Sequence, residues 1–208
     1  MKQPEEGVIK FRFDHEPGAA PEESTTAPLR AWFRILRRLE LVGQDPARYQ
    51  GAAWGNLSRR LGSGFVVTCS QTSGRRALEA DHFATVEKWW PERNRLRSRG
   101  PCPPSSESLT HAMLYDEIPR ANWVFHAHTP LIWRRAEALG LPVTDPAAEY
   151  GTPEMADAVR AVVAGLGRPS SGLLSMGGHE DGVLAWGGRA EEAGCRLMEA
   201  LAAALACG

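Results

Sequence analysis

The chain has 208 residues and a formal net charge of −1, from 24 basic and 25 acidic side chains. This balance gives no reason to expect nucleic acid or an anionic membrane as a partner, and no apolar run approaches membrane-spanning length. The hydrophobic share of 43% suits a globular chain with one sizeable core; without an apolar signal core near the N-terminus, we expect a cytoplasmic protein.

The first 27 residues are predicted to form an extension. Alternating apolar and basic residues over 8–15 favour a short edge strand, and the polar, proline-containing stretch that follows favours a loop. The main domain is then predicted to cover 28–208. It opens with a helix over 28–42, for which Gly43 is the predicted stop.

The rest of the chain alternates between strand and helix patterns. In chain order we predict a strand over 64–70, a segment over 80–90 that suits either type, a helix over 105–118, a strand over 121–128, a helix over 131–140, a helix over 152–167, two short strands around a glycine-rich turn within 172–188, and a helix over 189–206. Ser105 or Ser106 can cap the first of these helices, and Thr152 with Pro153 can begin the third. Strands interleaved with helices indicate an α/β domain.

The four cysteines are widely separated and include no CxxC pair. They are Cys69, Cys102, Cys195 and Cys207. Free thiols are the default in a reducing compartment. We therefore expect neither a disulfide framework nor a cysteine-rich zinc site.

Two histidines, His126 and His128, are one residue apart at the end of an aromatic and β-branched run. In a strand, such residues point to the same face. Two neutral imidazoles on one face suit a transition metal, with zinc as the first choice. The pair alone is equally compatible with exposed or hydrogen-bonded histidines, because two ligands do not complete a site.

Other candidate groups lie elsewhere in the chain. His179 lies between glycines that permit a tight turn, although taken alone it is equally a turn residue. Glu107 and His111 are four residues apart and share a helix face. Glu107 is a candidate fourth ligand or general base, and an exposed Glu–His pair is the alternative.

Five short motifs follow one another along the chain: GNLSRR at 55–60, FVVTCSQTSG at 65–74, PSSES at 104–108, HAH at 126–128 and GGHEDG at 177–182. Their order is typical of the class II aldolase/adducin family, which the chain resembles over roughly residues 28–205. The family includes fuculose-phosphate aldolase, ribulose-phosphate 4-epimerase and methylthioribulose-phosphate dehydratase. Each motif is weak alone, whereas the ordered set is specific.

The resemblance implies a role for each candidate residue. It implies His126, His128 and His179 as zinc ligands, Glu107 as catalytic base, Asn56, Ser73, Gly74, Ser105 and Ser106 as phosphate-binding residues, and His111 as a histidine next to the site. It also implies a three-layer αβα sandwich around a mainly antiparallel sheet, and a ring-shaped homotetramer with active sites between subunits. Helix capping is the alternative role of the two serines at 105 and 106.

One departure concerns the segment before Gly151. Fuculose-phosphate aldolase-like members carry a proton-donating tyrosine there, whereas this chain has Ala147 at the aligned position and Tyr150 three residues later. Dehydratase-like members carry a catalytic glutamate in this segment, and Glu149 is the nearest acid. Glu180 and Asp181 also differ from the usual family sequence, and turn formation or a place beside the metal ligands would explain them.

These observations favour a zinc-dependent lyase that cleaves a small phosphorylated or acidic keto-sugar by a retro-aldol reaction, with Glu107 as base. Another divalent transition metal is an alternative to zinc. A dehydratase or 4-epimerase using the same site and Glu149 is the second hypothesis. A non-catalytic, adducin-like interaction module is the third, and the presence of all three histidines argues against it.

Overall fold

The computed structural model describes residues 8–207, which fold around one eight-stranded sheet. The helices are α1 (Glu23–Arg38), α2 (Ser108–Glu117), α3 (Pro130–Trp133), α4 (Pro153–Gly165) and α5 (Ala190–Ala206). The strands are β1 (Arg12–Pro17), β2 (Gly43–Gln44), β3 (Ala53–Trp54), β4 (Asn56–Leu61), β5 (Gly64–Thr68), β6 (Phe83–Trp90), β7 (Arg95–Gly100), β8 (Trp123–His128), β9 (Gly172–Ser175) and β10 (Gly182–Gly187).

The main sheet is mixed in orientation, with strand order β1-β7-β6-β5-β4-β8-β10-β9. Its edge pair β1–β7 is parallel, and the other neighbouring pairs are antiparallel. The short strands β2 and β3 pair separately. The predicted single α/β domain is confirmed, whereas the sheet, predicted to be mainly antiparallel, is mixed in orientation because its edge pair β1–β7 is parallel.

Helices cover both faces of this sheet. One face carries Leu57, Phe125 and Val183 in its core, and α1, α3 and α5 pack on it. The other face carries Val67 and Val124, and α2 and α4 pack together there. Among residues 8–207, no helix combines the length and apolarity that a bilayer crossing requires.

Most predicted elements are present, and the N-terminal edge strand is confirmed as β1. The segment 80–90, left open between helix and strand, is largely β6. Helix α4 has the predicted start, with Thr152 Oγ1 accepting from the backbone N–H of Met155 and Pro153 in the first position. The two strands around the glycine turn are β9 and β10.

Two helix predictions are wrong in extent. Helix α1 begins at Glu23 instead of residue 28 and contains Pro28, because the buried side chains of Thr25 and Thr26 pack its first turn against the domain. It also ends at Arg38 instead of residue 42, and Gly43 begins β2. The helix predicted over 131–140 is the single turn α3, followed by turns.

The boundary predicted at residue 27 between extension and domain stays a prediction, and part of the extension, residues 1–7, lies outside the described residues. Strand β1 joins the described part of the extension to the domain. Its first residue, Arg12, is in parallel register with Arg95 of β7.

The expectation of free thiols throughout is wrong for two cysteines. Cys69 and Cys102 form a disulfide, 33 residues apart in sequence with a Cα–Cα distance of 5.9 Å. Cys69 follows β5 and forms an isolated antiparallel bridge with Pro104, so sheet pairing brings two distant thiols together. Sequence spacing gives no sign of this contact. Cys195 and Cys207 are free, as expected.

We predict that Cys102→Ser lowers the free energy of unfolding by about 3–4 kcal/mol, because the disulfide closes a loop of intermediate length in the unfolded chain. Denaturant unfolding without reductant measures the change. Cys195→Ser is the matched control, since its thiol is exposed and unbonded, and it should leave stability unchanged. Equal free energies of unfolding for Cys102→Ser and the wild type would contradict a native disulfide.

Candidate metal centre

Strand β8 supplies two histidines to the sheet face that α2 and α4 cover. His126 and His128 alternate with Ala127, which lies in the core of the opposite face. In the antiparallel register His126 is opposite Asn56 of β4. Both imidazoles are fully buried. The predicted placement on one face at the end of a strand is therefore confirmed.

The turn between β9 and β10 supplies His179. Hydrogen bonds from the His179 N–H to the Met176 carbonyl and from the Gly182 N–H to the His179 carbonyl form this turn. A Cβ at Gly178 would collide with the carbonyl oxygen of Ala148, so only glycine permits this close approach. The turn brings the buried imidazole of His179 beside the pair on β8.

The three histidines form one cluster in which their ligand atoms all lie within 4.8 Å of one another. His126 Nε2 and His128 Nε2 are 2.9 Å apart, and the His179 ring centroid is 5.0 Å from that of His126 and 4.6 Å from that of His128. Three imidazoles converging on one point are a donor set that zinc and related divalent ions prefer.

The protonation of His126 favours metal binding. Its Nδ1 lies 3.1 Å from the Val183 carbonyl oxygen, which can only accept, so Nδ1 carries the proton and Nε2 presents a lone pair. Such a contact fixes the tautomer of many histidine ligands. Burial, followed by the charge of His179, holds the pKa of both His126 and His128 well below the usual value. The two rings are therefore neutral at physiological pH.

A carboxylate lies next to the cluster. Glu107 precedes α2 at its N-cap position and is 1% exposed. Its Oε1 is 3.8 Å from His179 Nδ1, and its Oε2 accepts a hydrogen bond of 3.2 Å from Thr110 Oγ1. Glu107 and His179 are too far apart in the chain for sequence spacing to predict their contact. The order of the motifs did imply that they lie close together.

The residues implied in phosphate binding lie on three segments joined by hydrogen bonds. They are Asn56 at the start of β4, Ser73 and Gly74 after β5, and Ser105 and Ser106 before α2. Ser73 Oγ donates to the Gly55 carbonyl at 2.6 Å, and the Ser105 N–H donates to the Thr68 carbonyl at 3.0 Å. The fold therefore connects all three segments beside the strand that carries His126.

The surroundings of these residues are polar and enclosed. Asn56, Ser105 and Ser106 are buried, and Asn56 Oδ1 has no hydrogen-bond partner among residues 8–207. Neither serine is the N-cap of α2, which is Glu107, although Ser105 Oγ accepts from the Glu107 N–H at 3.3 Å. A Cβ at Gly74 would collide with the Gln44 side chain.

His111 lies on α2 and contacts the strand β4. Its Nδ1 is 2.6 Å from Ser58 Oγ, and Ser58 Oγ is also 2.7 Å from the Tyr115 hydroxyl. Burial lowers the pKa of His111 to about 3. His111 is therefore a neutral group at physiological pH.

Glu149 lies at the surface, where it pairs with a lysine. Its carboxylate is 55% exposed and forms an ion pair with Lys10. The following residue, Tyr150, is buried and stacks on His179 with 4.4 Å between ring centroids. The structure therefore brings Tyr150 to the cluster and pairs Glu149 with a lysine at the surface.

One further group of residues at this site was not predicted from the sequence. The Tyr49 ring lies edge-on to His128 with 5.0 Å between centroids. Its hydroxyl donates to Asp181 Oδ2 at 2.7 Å and accepts from Arg48 Nη2 at 2.9 Å. Asp181 thus takes the place beside the ligands considered for it, whereas Glu180 is exposed. Only the polar stretch after Gly43 could have drawn attention to this group.

Comparison with known proteins gives a family match and a set of similar folds. Residues 46–207 match the family described as Class II Aldolase and Adducin N-terminal domain. No curated protein matches the sequence significantly. Solved structures similar to this chain include an L-fuculose 1-phosphate aldolase, with 18% identity, coverage of 90% of this chain and 86% of that one, and a TM-score of 0.69.

Two further solved structures are also similar. The L-fuculose-1-phosphate aldolase of Thermus thermophilus is 23% identical, with 89% of this chain and 93% of that chain covered and a TM-score of 0.61. The sugar-phosphate aldolase of Thermotoga maritima is 14% identical, with 88% and 93% covered and a TM-score of 0.67. At these identities the structural likeness establishes the fold.

We predict that His179→Ala weakens divalent-metal binding by more than about 100-fold, because it removes one of three ligands. Loss of a residue that only contacts a ligand typically costs roughly 10–100-fold in metal affinity. Titration with Co²⁺, followed by its visible absorption, measures the affinity. His82→Ala is the control, since His82 lies in a separate short helix where its Nδ1 accepts from the Glu79 N–H. Equal Co²⁺ affinity in His179→Ala and the control would exclude His179 as a ligand.

Proposed function

Because this chain belongs to the class II aldolase and adducin family, we propose that it is a zinc-dependent lyase that cleaves a small phosphorylated or acidic keto-sugar by a retro-aldol reaction. The chain is an enzyme, and its family indicates lyase chemistry. The observation that carries the proposal is the cluster of three buried histidines with the Glu107 carboxylate 3.8 Å from one of them.

The histidines fit a divalent ion because they bring three imidazole nitrogen donors together from β8 and the turn before β10. An ion held by His126, His128 and His179 would act as a Lewis acid toward the substrate carbonyl. The ring of Tyr150, stacked on His179, and the carbonyl of Val183, which accepts from His126, hold two of the ligands in orientation. A site of this kind leaves an open position for substrate oxygens.

Glu107 is the proposed base. In a retro-aldol cleavage the base takes the proton of the hydroxyl next to the scissile bond, and the bond's electron pair passes to the carbonyl-bearing fragment. Glu107 then returns the proton to that fragment at carbon. Its near-complete burial keeps water away, and Thr110 Oγ1 fixes its Oε2, which leaves Oε1 directed toward the histidine side.

Asn56, Ser73, Gly74, Ser105 and Ser106 are the proposed phosphate cradle. Ser105 and Ser106 lie directly before α2, where N–H groups and the helix dipole favour an anion. The buried Asn56 Oδ1 has no partner among the described residues, and as an acceptor it would take a hydrogen bond from a donor on the ligand, such as a sugar hydroxyl. We propose that His111, a neutral residue, acts outside the ligand shell. Its contact with Ser58 would hold β4 in place beside the strand that carries His126 and His128.

The second hypothesis, dehydration or 4-epimerisation with Glu149 as acid or base, requires the Glu149 side chain to move. Glu149 would have to leave Lys10 and turn toward the cluster. The retro-aldol proposal needs no such rearrangement. The third hypothesis, a non-catalytic adducin-like module, leaves the buried histidines and Glu107 without a role.

Assembly and location are proposals that rest on the sequence. We propose a homotetramer with sites shared between subunits, as the family resemblance implies. Sedimentation should then give a mass near four times that of the 22.7 kDa chain at micromolar concentration, and a monomer mass would contradict it. The cytoplasmic location also stays a prediction. Since disulfides are uncommon in reducing compartments, the redox state of Cys69 and Cys102 in cells would test it.

We predict that Glu107→Gln lowers turnover about 10²–10⁴-fold, the usual effect of losing a general base, while metal content stays the same. Phosphorylated and unphosphorylated keto-sugars are screened with the wild type, and products are identified by mass spectrometry. The best substrate is then assayed with the variant.

Glu149→Gln is the control that separates the two reactions. Under the retro-aldol proposal it keeps near-normal turnover, because Glu149 does not act in the chemistry. Near-normal turnover in Glu107→Gln, together with loss of activity in Glu149→Gln, would overturn the assignment of the base and favour the second hypothesis.

A further inference from the structure

The segment of residues 44–54, here called the Arg48 loop, lies against one side of the histidine cluster. It joins β2 to β3 and carries Tyr49, whose ring contacts His128. The Tyr49 hydroxyl donates to Asp181, two residues beyond His179. The loop is therefore fastened to both elements that supply the histidines.

The backbone of this loop is held in a strained conformation. Tyr49, Gln50 and Gly51 are consecutive residues with positive φ, at 48°, 57° and 82°. A bulky side chain rarely adopts such a φ, and strain of this kind persists where the surroundings enforce it, often at functional sites. Hydrogen bonds from Gln44 Nε2 to the Gly51 carbonyl and from the Ala53 N–H to Gln71 Oε1 enforce it here.

The strained loop presents one cation to the cluster. The Arg48 guanidinium lies 4.3 Å above the Trp54 ring centroid and donates from Nη2 to the Tyr49 hydroxyl. This uses one of its five N–H donors. The same Tyr49 hydroxyl donates to Asp181 Oδ2, so Tyr49 links the guanidinium to this carboxylate.

Arg48 is on the His128 side of the cluster. Its guanidinium lies 5.0 Å from the centroid of the Tyr49 ring, and that ring packs on His128. Asn56, by contrast, is opposite His126. Arg48 is therefore next to the His128 side of the cluster, whereas the proposed phosphate cradle is next to the His126 side.

We propose that Arg48 forms an anion subsite beside the histidine cluster and that this subsite binds a carboxylate of the substrate. The inference rests on the proposed function, since it assumes a substrate held at the histidines. The planar guanidinium matches a carboxylate through two parallel hydrogen bonds. Stacking on Trp54 and the bond to Tyr49 fix its orientation before the ligand arrives, which lowers the entropic cost of binding. The substrate class narrows to keto-sugar acids or other hydroxy-keto acids.

Binding of two small hydroxy acids to the Zn²⁺-loaded protein tests this subsite by calorimetry. Malate and 2-hydroxybutyrate share a four-carbon chain and a 2-hydroxycarboxylate that can chelate a metal. They differ because malate has a carboxylate where 2-hydroxybutyrate has a methyl group. We expect the wild type to bind malate at least about tenfold more tightly, since a charge-assisted pair contributes on the order of a factor of ten.

Arg48→Gln should abolish the preference for malate while leaving the affinity for 2-hydroxybutyrate within about twofold, because it removes the charge and keeps a polar side chain. Arg48→Lys, which keeps the charge without the planar fork, should give an intermediate preference. Arg59→Gln is the matched control. Arg59 also stacks on a tryptophan, Trp123, at 5.1 Å, and alternates in β4 with Asn56 and Ser58, so it lies on the opposite face of the sheet.

Two results would overturn the subsite. One is a wild type that binds both acids equally, and the other is an Arg48→Gln protein that retains the preference. In either case 2-hydroxybutyrate binding that depends on the metal would leave the proposed function intact. Absence of any metal-dependent binding of either acid would contradict both the subsite and the metal site on which the proposed function depends.

Discussion

The antiparallel register between β8 and β10 is the constraint on which the rest of the site depends. Gly182 pairs with His128 and Leu184 with His126, so the turn that precedes β10 must fold back over the end of β8. That turn carries His179. A shift of one residue would move both β8 histidines to the opposite face. The hydrophobic alternation that stabilises the sheet therefore also aligns the metal-ligand candidates.

Burial of the polar side chains at this site carries a desolvation cost. Three imidazoles and the carboxylate of Glu107 are withdrawn from water, and a buried charge needs a partner of opposite sign. A divalent ion would match both the three imidazole donors and the negative charge of the nearby carboxylate. The strained backbone at Tyr49 and at Asp181, whose φ values are 48° and 62°, follows the same logic, since local stability is given up where function requires a fixed geometry.

Local signals in the sequence were sufficient to predict the parts of the site that lie within single elements. The alternation around His126 and His128 predicts a strand, the glycines around His179 predict a turn, and the order of the motifs implies that these residues meet Glu107. The disulfide between Cys69 and Cys102 and the contact of Tyr49 with His128 could not be predicted in this way. Both depend on which distant segments the sheet brings together, and neither leaves a periodic pattern. The start of α1 before Pro28 was missed for a related reason, because tertiary packing outweighs local propensity there.

The proposal most central to this site is that His126, His128 and His179 together hold one divalent ion. X-ray absorption spectroscopy at the zinc edge of the metal-loaded protein tests it most directly. We expect three imidazole nitrogens at about 2.0–2.1 Å from the ion and an oxygen donor completing the shell. A sulfur donor at about 2.3 Å, the distance typical of a thiolate, or a shell with a single imidazole would contradict it.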